Sequence, residues 1–388
     1  MISKSQSIKN EKRLPVSIVR NNGNLKKAIS DSLHLIDFQL SKKDVFIKPN
    51  LVTPAKYDSG IITDPAVVGA LADVLREEYH AEDITIGEGP QIGCSVKDCF
   101  ELGGYNKVAK EHDLKLLDLN LAERTGLPWK YGTIQIPMII QKCFYINMPK
   151  IKTHTQTTVT LSLKNQKGLL TAGDKKNFHR LDLHEHIVEL YRIIKPDLVV
   201  VDGLVALEGD GPAMGGKIRQ LDLVVAGKDA LKVDNVCCKI MGIPPSEIKH
   251  IKLANEFFGN NETETIKGLQ ICELNINKFK RANERLKKIG KIYYWRNSSA
   301  CTMCSESLYQ AIKEMKEKPA LFLEYGPHVF YHLLFKRLDF LAGKDAEIPS
   351  NCGDVCCIGN CLASLAEKNN LRLVEGCPPK PLEILKKL

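Results

Sequence analysis

Short apolar runs alternate with longer amphipathic segments along the chain, up to about residue 275. The runs that predict strands are PVSIVR, DVFIKPNLV, DITIGEGP, KLLDLN, CFYINMPKI, DLVVVDGLVAL and LDLVVAGK. Between them lie helical patterns such as DPAVVGALADVLREEY, in which Asp64 is the expected N-cap and Pro65 the first helical residue. Strands that alternate with helices indicate βαβ units. We therefore expect an α/β fold with a mainly parallel sheet and helices on both faces.

The distribution of cysteine suggests where this domain ends. Seven of the thirteen cysteines fall in the last 88 residues, beyond a segment rich in lysine and arginine. A module this small would gain stability from a bound metal or cluster. We predict an α/β domain over residues 1–280, a basic linker helix over 281–298 and a small cysteine-rich module over 299–388.

The positive charge is concentrated in the predicted linker. Of the formal net charge of +9, much arises between Lys278 and Arg296, where eight lysines and arginines face a single acid, Glu284. A solvated helix would explain this charge, and so would a docking patch for an acidic partner such as a ferredoxin-like electron donor. Nucleic-acid binding is not expected, because no zinc-finger, RNA-recognition or helix-turn-helix signature accompanies the charge.

The apolar segments do not predict secretion or membrane insertion. The first residues, MISKSQSIKNEKRLPV, lack the apolar core of a signal peptide. The richest apolar stretch, KPALFLEYGPHVFYHLLFKRLDFLAG, is interrupted by charged and histidine residues. A cytoplasmic protein is expected, and in a reducing cytosol clustered cysteines suggest metal ligands instead of disulfides.

Polar side chains gather at the ends of the predicted strands. In open α/β sheets, ligands bind beyond the carboxyl ends of the strands. Lysines, asparagines and glycine turns suit a small carboxylate or phosphate. The expected substrate-binding residues are Lys48, Asn50, Glu88, Asn147, Lys150, Lys152, Asn165 and Asp202. The expected catalytic residues are Lys164, Lys167 and a proton donor, either His154 or His179, because histidine titrates near neutrality.

Two further histidines follow the same region. His184 and His186 are two residues apart, so on a helix they point to different faces. Capping, hydrogen bonding to a substrate and metal binding are the alternatives for these side chains.

Several of these motifs occur in a fixed order that resembles a known family. The series is KPN, DP, GEG, NMPKIKTH, SLKNQKG, KPDLVVVDG, GDGPAMGG and KDALKVDNVCCKIMG, between about 45 and 260. It looks like the domain of unknown function 362 family. That resemblance implies a fold similar to the first domain of nickel-pincer lactate racemase, and members often carry a ferredoxin-like iron–sulfur module. Metal-cofactor chemistry by this analogy is one alternative for the function.

The C-terminal cysteines suit a metal centre. They lie in CTMC, in CGDVCCIGNC and in GCPP. Four thiolates fit either tetrahedral zinc or a 4Fe-4S cluster. The second Cys-x-x-Cys knuckle of a zinc ribbon is missing, so a structural zinc site is the alternative here.

The same motifs resemble the 4Fe-4S site of nickel–iron hydrogenase small subunits and of the complex I proximal-cluster subunit. The resemblance implies the ligands Cys301, Cys304, Cys361 and Cys377, with Cys352, Cys356 and Cys357 as alternates. The chain departs from that pattern in the 15 residues between Cys361 and Cys377, a shorter gap than in those subunits.

Together these features predict an iron–sulfur redox enzyme. It would relay single electrons through one 4Fe-4S cluster to a small anionic substrate in the α/β domain. A non-catalytic electron-transfer or scaffold protein that docks an acidic partner is the alternative from another class. A flavin often leaves little trace in sequence, so it stays open as a further cofactor.

Overall fold

The computed structural model describes residues 14–180, 182–211, 216–260, 264–282, 286–296, 300 and 302–388. The chain divides into two compact units, Met1–Ala282 and Asn283–Leu388. Each unit is built on a sheet of its own.

The first unit contains twelve strands among its described residues. They are β1 Val16–Arg20, β2 Val45–Pro49, β3 Ile84–Glu88, β4 Lys115–Asp118, β5 Arg124–Trp129, β6 Gly132–Pro137, β7 Phe144–Met148, β8 Lys150–His154, β9 Thr158–Thr160, β10 Leu198–Gly209, β11 Gly216–Gly227 and β12 Ile266–Gly268. Its helices are Leu25–Leu35, Pro65–Tyr79, Val96–Leu102, Tyr105–Glu111, Ile139–Lys142, Ser162–Asn165, Ala172–Arg180, Leu183–Ile193, Ala230–Ile240 and Lys249–Phe258. Single turns of 3₁₀ helix lie at Tyr57–Ser59, Gln166–Leu169, Pro245–Glu247 and Ile271–Glu273.

The large sheet is mainly parallel, as expected, but it is mixed, because antiparallel pairs join β1 to β11, β10 to β11 and β8 to β9. Its order is β12-β1-β11-β10-β7-β2-β3-β4, with β8 beside β10 and β9 beside β8. The central strands β10, β7, β2, β3 and β4 are parallel neighbours. Strand β11 runs antiparallel to both β10 and β1. Strands β10 and β11 pair as a long hairpin in which Gly209 lies opposite Gly216, and strands paired in this way are antiparallel.

Two apolar layers cover the sheet, one on each face. Successive residues of a strand point to opposite faces, and β2 shows this, with Val45 and Ile47 in one layer and Phe46 in the other. The helix Pro65–Tyr79 contributes its buried face to the first of these layers. Its N-terminus is as expected, because Asp64 is the N-cap, accepts from Ala66 N, and precedes Pro65.

The second unit has a five-stranded sheet of its own. The strands are β13 Leu286–Ile289, β14 Ile292–Arg296, β15 Leu338–Ala342, β16 Asp354–Ile358 and β17 Arg372–Val374, in that order across the sheet. The helices are Thr302–Glu317, Pro319–Leu334, Ala363–Lys368 and Pro381–Leu385, with a 3₁₀ turn at Asn360–Leu362. Strands β14 to β17 are parallel, and β13 pairs antiparallel with β14.

The basic segment predicted as a linker helix over 281–298 instead supplies two strands of this sheet. Strands β13 and β14 form a tight hairpin in which Ile289 pairs with Ile292. Gly290 adopts a φ of +58°, a conformation that glycine tolerates in such turns. The β-branched and aromatic residues of KIYYW favour a strand over a helix. In the described part of the chain, no helix has the length and apolar character needed to cross a membrane.

Candidate functional site

The centre of the polar cluster in the first unit is a buried ion pair. Lys48, near the end of β2, places its Nζ 2.9 Å from Glu88 Oε2 at the end of the neighbouring strand β3. Glu88 also accepts hydrogen bonds from the backbone N–H groups of Leu51 at 3.0 Å and Gly89 at 2.9 Å. Burial lowers the pKa of the Lys48 ammonium, and the Glu88 carboxylate opposes that effect. The charge of Lys48 is therefore balanced inside the protein.

Three asparagines extend this pair into a hydrogen-bond network, in which Asn50 Oδ1 is buried without a partner among the described residues. Asn165 Oδ1 accepts from Asn50 Nδ2 at 2.9 Å and from Lys48 Nζ at 3.3 Å. Asn165 Nδ2 donates to Asn147 Oδ1 at 2.7 Å, and Asn147 Nδ2 donates to the Ser162 carbonyl at 2.9 Å. All three asparagines are buried. The sequence correctly indicated that these residues gather at one edge of the sheet, and their amides mainly bond one another.

Two glycines allow the chain to pass directly beside the ion pair. A Cβ on Gly168 would overlap Glu88 Oε1 and lie 2.5 Å from Lys48 Nζ. A Cβ on Gly89 would lie 2.6 Å from the Gly168 carbonyl oxygen. These contacts give a steric reason for the second glycine of GEG, Gly89, and for the glycine of KNQKG, Gly168.

A second buried ion pair follows the same pattern. Lys150 Nζ lies 2.6 Å from Asp202 Oδ2, with both side chains fully buried. Asp202 also accepts from the backbone N–H groups of Asp64 at 2.7 Å and Leu204 at 3.0 Å. Lys152 is likewise buried and donates to the Ile61 carbonyl at 2.6 Å. The two acids that we expected to bind the substrate, Glu88 and Asp202, therefore each form an ion pair with a lysine of the same predicted site.

His154 is held in one tautomer. Its Nδ1 accepts from the backbone N–H groups of Gln156 at 2.9 Å and Thr157 at 3.2 Å, so the proton of the neutral ring belongs on Nε2. The side chain of His179, the other predicted proton donor, lies outside the described residues. The ring of His186 stacks on Tyr131 with 4.1 Å between centroids, and its Nδ1 lies 2.6 Å from the Asp182 carbonyl oxygen.

The two predicted catalytic lysines contact different neighbours. Lys167 Nζ lies 5.9 Å from the centroid of the Phe178 ring, within range of a cation–π contact. Burial lowers the pKa of His184 and that of His250, and the positive charge of Lys164 makes a smaller contribution in the same direction to each.

His250 is a buried residue that sequence reasoning missed. Its side chain is fully buried in the helix Lys249–Phe258, and its ring centroid lies 5.6 Å from that of His184. Neither of its ring nitrogens has a hydrogen-bond partner among the described residues. Burial lowers the pKa of His250 well below its ordinary value and that of His184 to about 4, so both rings are neutral at pH 7.

Lys175 and Asp234 were also missed. Lys175 is buried and donates to the carbonyl oxygens of Gly89 at 2.8 Å and Pro90 at 3.0 Å, while burial lowers its pKa to about 8. Asp234 accepts from the backbone N–H of Ser162 at 2.8 Å, and burial raises its pKa to about 7. In the sequence, Asp234 lies at a core position of an amphipathic helix. That pattern gave no sign that its carboxylate accepts hydrogen bonds from the first backbone N–H groups of another helix, Ser162–Asn165.

Two of the four predicted cluster ligands converge beside Gly359 in the second unit. A Cβ on Gly359 would lie 3.1 Å from Cys304 Sγ and 3.8 Å from Cys361 Sγ. Cys304 stands in the first turn of the helix Thr302–Glu317, and Cys361 follows the end of β16. Cys301 lies outside the described residues.

The loop that carries Cys377 is bound to the loop that carries Cys361. Asn360 N donates to the Gly376 carbonyl at 3.1 Å, and Gly376 N donates to Asn360 Oδ1 at 2.6 Å. Both loops follow the carboxyl ends of parallel strands, β16 and β17. Within the described ranges, which omit Cys301, no three His, Cys, Asp or Glu side chains are grouped closely enough to hold a metal ion.

The alternate cysteines belong to the hydrophobic core. Cys356 and Cys357 are neighbours in β16, point to opposite faces and pack in separate apolar clusters. Burial raises the pKa of both thiols to about 11. Cys352 is half-buried against the same cluster as Cys357. The surroundings of Cys356 and Cys357 favour protonated thiols over metal-binding thiolates.

Comparison with known proteins finds one family model and one relative. The family model described as "Domain of unknown function (DUF362)" matches residues 45–239. A curated relative, "Thylakoid-associated protein sll1697" of Synechocystis sp. (strain ATCC 27184 / PCC 6803 / Kazusa), is 30% identical over 226 residues. That alignment covers 56% of this chain and 69% of the relative.

Proposed function

The chain belongs to the family described as Domain of unknown function (DUF362), and we propose that it is an iron–sulfur redox protein. The family resemblance expected from the ordered motifs is thus confirmed. The description of the family does not specify a reaction. In this proposal, Cys301, Cys304, Cys361 and Cys377 hold one 4Fe-4S cluster. A cluster held by four thiolates supplies single-electron transfer.

The observation that carries the proposal is the convergence of the Cys304 and Cys361 sulfurs on Gly359. The space beside that α-carbon would be filled by any side chain, because a Cβ would lie 3.1 Å from Cys304 Sγ. A glycine with a φ of +94° keeps the space between the sulfurs open. Cys304 also lies at a helix N-terminus, where backbone N–H groups favour a thiolate. This donor set fits the proposed group.

Asn360 is the proposed positioning residue for the fourth ligand. Its backbone N–H donates to the Gly376 carbonyl and its side-chain oxygen accepts from the Gly376 N–H, and Gly376 directly precedes Cys377. Fixing Gly376 fixes where the Cys377 side chain begins.

Metal and sulfide content of protein purified without oxygen tests the cluster. We expect about four irons and about four sulfides per chain, lost in Cys361→Ser and retained in Cys272→Ser, an exposed cysteine of the first unit. One zinc per chain without iron would instead support a structural zinc site and contradict the redox proposal.

The second part of the proposal is a small carboxylate or phosphate bound in the α/β unit. Lys48 and Lys150 are neutralised by Glu88 and Asp202, so the ligand would lie nearer to Lys164 and Lys167. Lys175 could also contribute to binding the anion. Its ammonium donates to two carbonyl oxygens among the described residues, and its third N–H could donate to the ligand. His154, with its proton on Nε2, is the proposed proton donor.

Thermal unfolding with added inorganic phosphate or succinate tests this ligand. Either anion should raise the melting temperature of the wild type and leave that of Lys164→Ala/Lys167→Ala unchanged. The control, Lys97→Ala/Lys107→Ala, removes two lysines of other helices. Equal shifts in wild type and the first double variant would contradict an anion site there.

An electron-transfer protein without catalysis is the second candidate. The hydrogen bonds of Lys48 with Glu88 and Asn165 favour it, because these three residues are paired with one another without a substrate. It predicts that no small anion binds, and that association with an acidic ferredoxin-like donor weakens as salt is added. A cytoplasmic location stays a prediction.

A further inference from the structure

The helix Pro319–Leu334 exposes an apolar face. Leu323 is 77% exposed, Phe330 59% and Leu334 49%. These residues are spaced by seven and four positions, so they form one stripe along a helix with 3.6 residues per turn. A surface helix normally presents charged and polar residues on the side that faces water. This helix is apolar there instead.

The other side of the helix is fixed in the core of the second unit. Tyr325 and Val329 pack against its apolar cluster, and Gly326 and His332 are buried. The exposed stripe is therefore held in a fixed orientation by the packing of the opposite face.

Further large side chains widen the stripe into a patch. Phe322, Tyr331 and Phe335 are each at least half exposed. Glu324 is the exposed acidic residue between Pro319 and Phe335, and His328 is the exposed histidine. Contiguous apolar patches of this kind commonly mark an interaction site.

The hairpin of β13 and β14 extends the patch and adds positive charge. Ile289 at its tip is 67% exposed. Lys291 joins the tip to the end of the helix, since its backbone N–H donates to the Leu333 carbonyl at 3.0 Å and its Nζ donates to the Phe335 carbonyl at 3.2 Å. Lys288 is exposed beside it, and residues 286–296 contain no Asp or Glu.

We propose that this surface, which comprises Phe322, Leu323, Phe330, Tyr331, Leu334, Phe335 and the hairpin tip 288–291, docks on an anionic lipid surface. Apolar and aromatic side chains would enter the boundary between headgroups and acyl chains, while the lysines contact anionic headgroups. The lysines favour an anionic lipid surface over a second copy of this chain, because two copies of this face would bring their positive charges together and repel each other. The proposal concerns peripheral binding and is independent of the cluster.

Flotation of the full chain with lipid vesicles tests the proposal. The wild type should bind vesicles of phosphatidylcholine with phosphatidylglycerol about tenfold more strongly than phosphatidylcholine alone. Leu323→Ser/Phe330→Ser should weaken that binding about tenfold. Lys288→Gln should reduce the preference for the anionic vesicles. The control, Leu121→Ser/Phe257→Ser, removes two exposed apolar side chains of the first unit and should bind as the wild type does.

Circular dichroism establishes that each variant is folded, which is expected because the replaced side chains are exposed. Equal binding by the wild type and Leu323→Ser/Phe330→Ser would overturn the proposal, as would a wild type that binds neither vesicle. A wild-type dimer that the same variant converts to a monomer in sedimentation would assign the face to a second copy and overturn the lipid assignment.

Discussion

Lys48 Nζ and Glu88 Oε2 lie 2.9 Å apart at the ends of two adjacent parallel strands, with both side chains buried. The backbone of Gly168 passes so close that a Cβ there would meet both side chains. The pair therefore joins β2 and β3 to the segment after helix Ser162–Asn165. Because the pair is buried and Gly168 lies so close to it, substitutions of these residues should lower the stability of the fold.

Gly168→Ala should destabilise the protein by about 1–3 kcal/mol, because the added methyl group overpacks the ion pair. Gly173→Ala is the matched control, since the nearest atom to a Cβ there is 3.7 Å away in the helix Ala172–Arg180. Denaturant unfolding measures both. Equal free energies of unfolding for the two variants would contradict the close approach.

Lys48→Met should cost about 3–5 kcal/mol, because it leaves the Glu88 carboxylate buried without its partner. The exposed pair Lys43–Glu82 provides a contrast, and Lys43→Met should cost far less than Lys48→Met, because water screens an exposed pair. Denaturant unfolding compares the two. A small loss in Lys48→Met would mean that water reaches Glu88.

The buried histidines predict a loss of stability in mild acid. Burial lowers the pKa of His184 to about 4 and that of His250 well below its ordinary value, so both are neutral in the folded protein while the unfolded chain binds protons from about pH 6.5 downward. Their contribution is fully present above pH 6.5. It declines by about 1.4 kcal/mol per pH unit for each histidine as the pH falls toward 4.

Urea unfolding between pH 7.5 and pH 4.5 checks this expectation, with both limits chosen to bracket the transition at about pH 6.5. His250→Gln should have a shallower decline than the wild type, and the exposed-site control His34→Gln should have the same decline. Parallel curves for wild type and His250→Gln would show that His250 gains protons in the folded state as readily as in the unfolded one.

Gly359→Ala should abolish cluster binding, because its Cβ would lie 3.1 Å from Cys304 Sγ in the space between the two sulfurs. Gly93→Ala controls for backbone strain: its φ of +91° is close to the +94° of Gly359, and a Cβ there has no neighbour within 4 Å. Iron content after anaerobic purification measures both. Full iron in Gly359→Ala would contradict the position of the cluster.

Hydrophobic patterning was sufficient to predict the central strands and the gathering of polar residues at their ends. Lys48 and Glu88 follow apolar runs, and parallel neighbours bring such positions together. The N-cap at Asp64 was also predicted correctly, because it depends only on the residues that follow it directly in the sequence. These features depend on residues close in sequence or on a regular fold rule.

The rest depended on contacts between distant segments. The pattern of β11 does not indicate which way it runs, and its antiparallel pairing follows from the hairpin with β10. The sequence did not reveal that Glu88 and Asp202 neutralise Lys48 and Lys150, since each pair joins residues at least 40 positions apart. The pairing of His250 with His184 was hidden for the same reason.

The most direct test of the redox proposal is electron paramagnetic resonance of the anaerobically purified protein before and after reduction with dithionite. The account predicts a signal of a reduced 4Fe-4S cluster, accompanied by bleaching of the visible absorbance, in the wild type and in Cys352→Ser, and neither in Cys361→Ser. A silent, colourless wild type that contains zinc would contradict it.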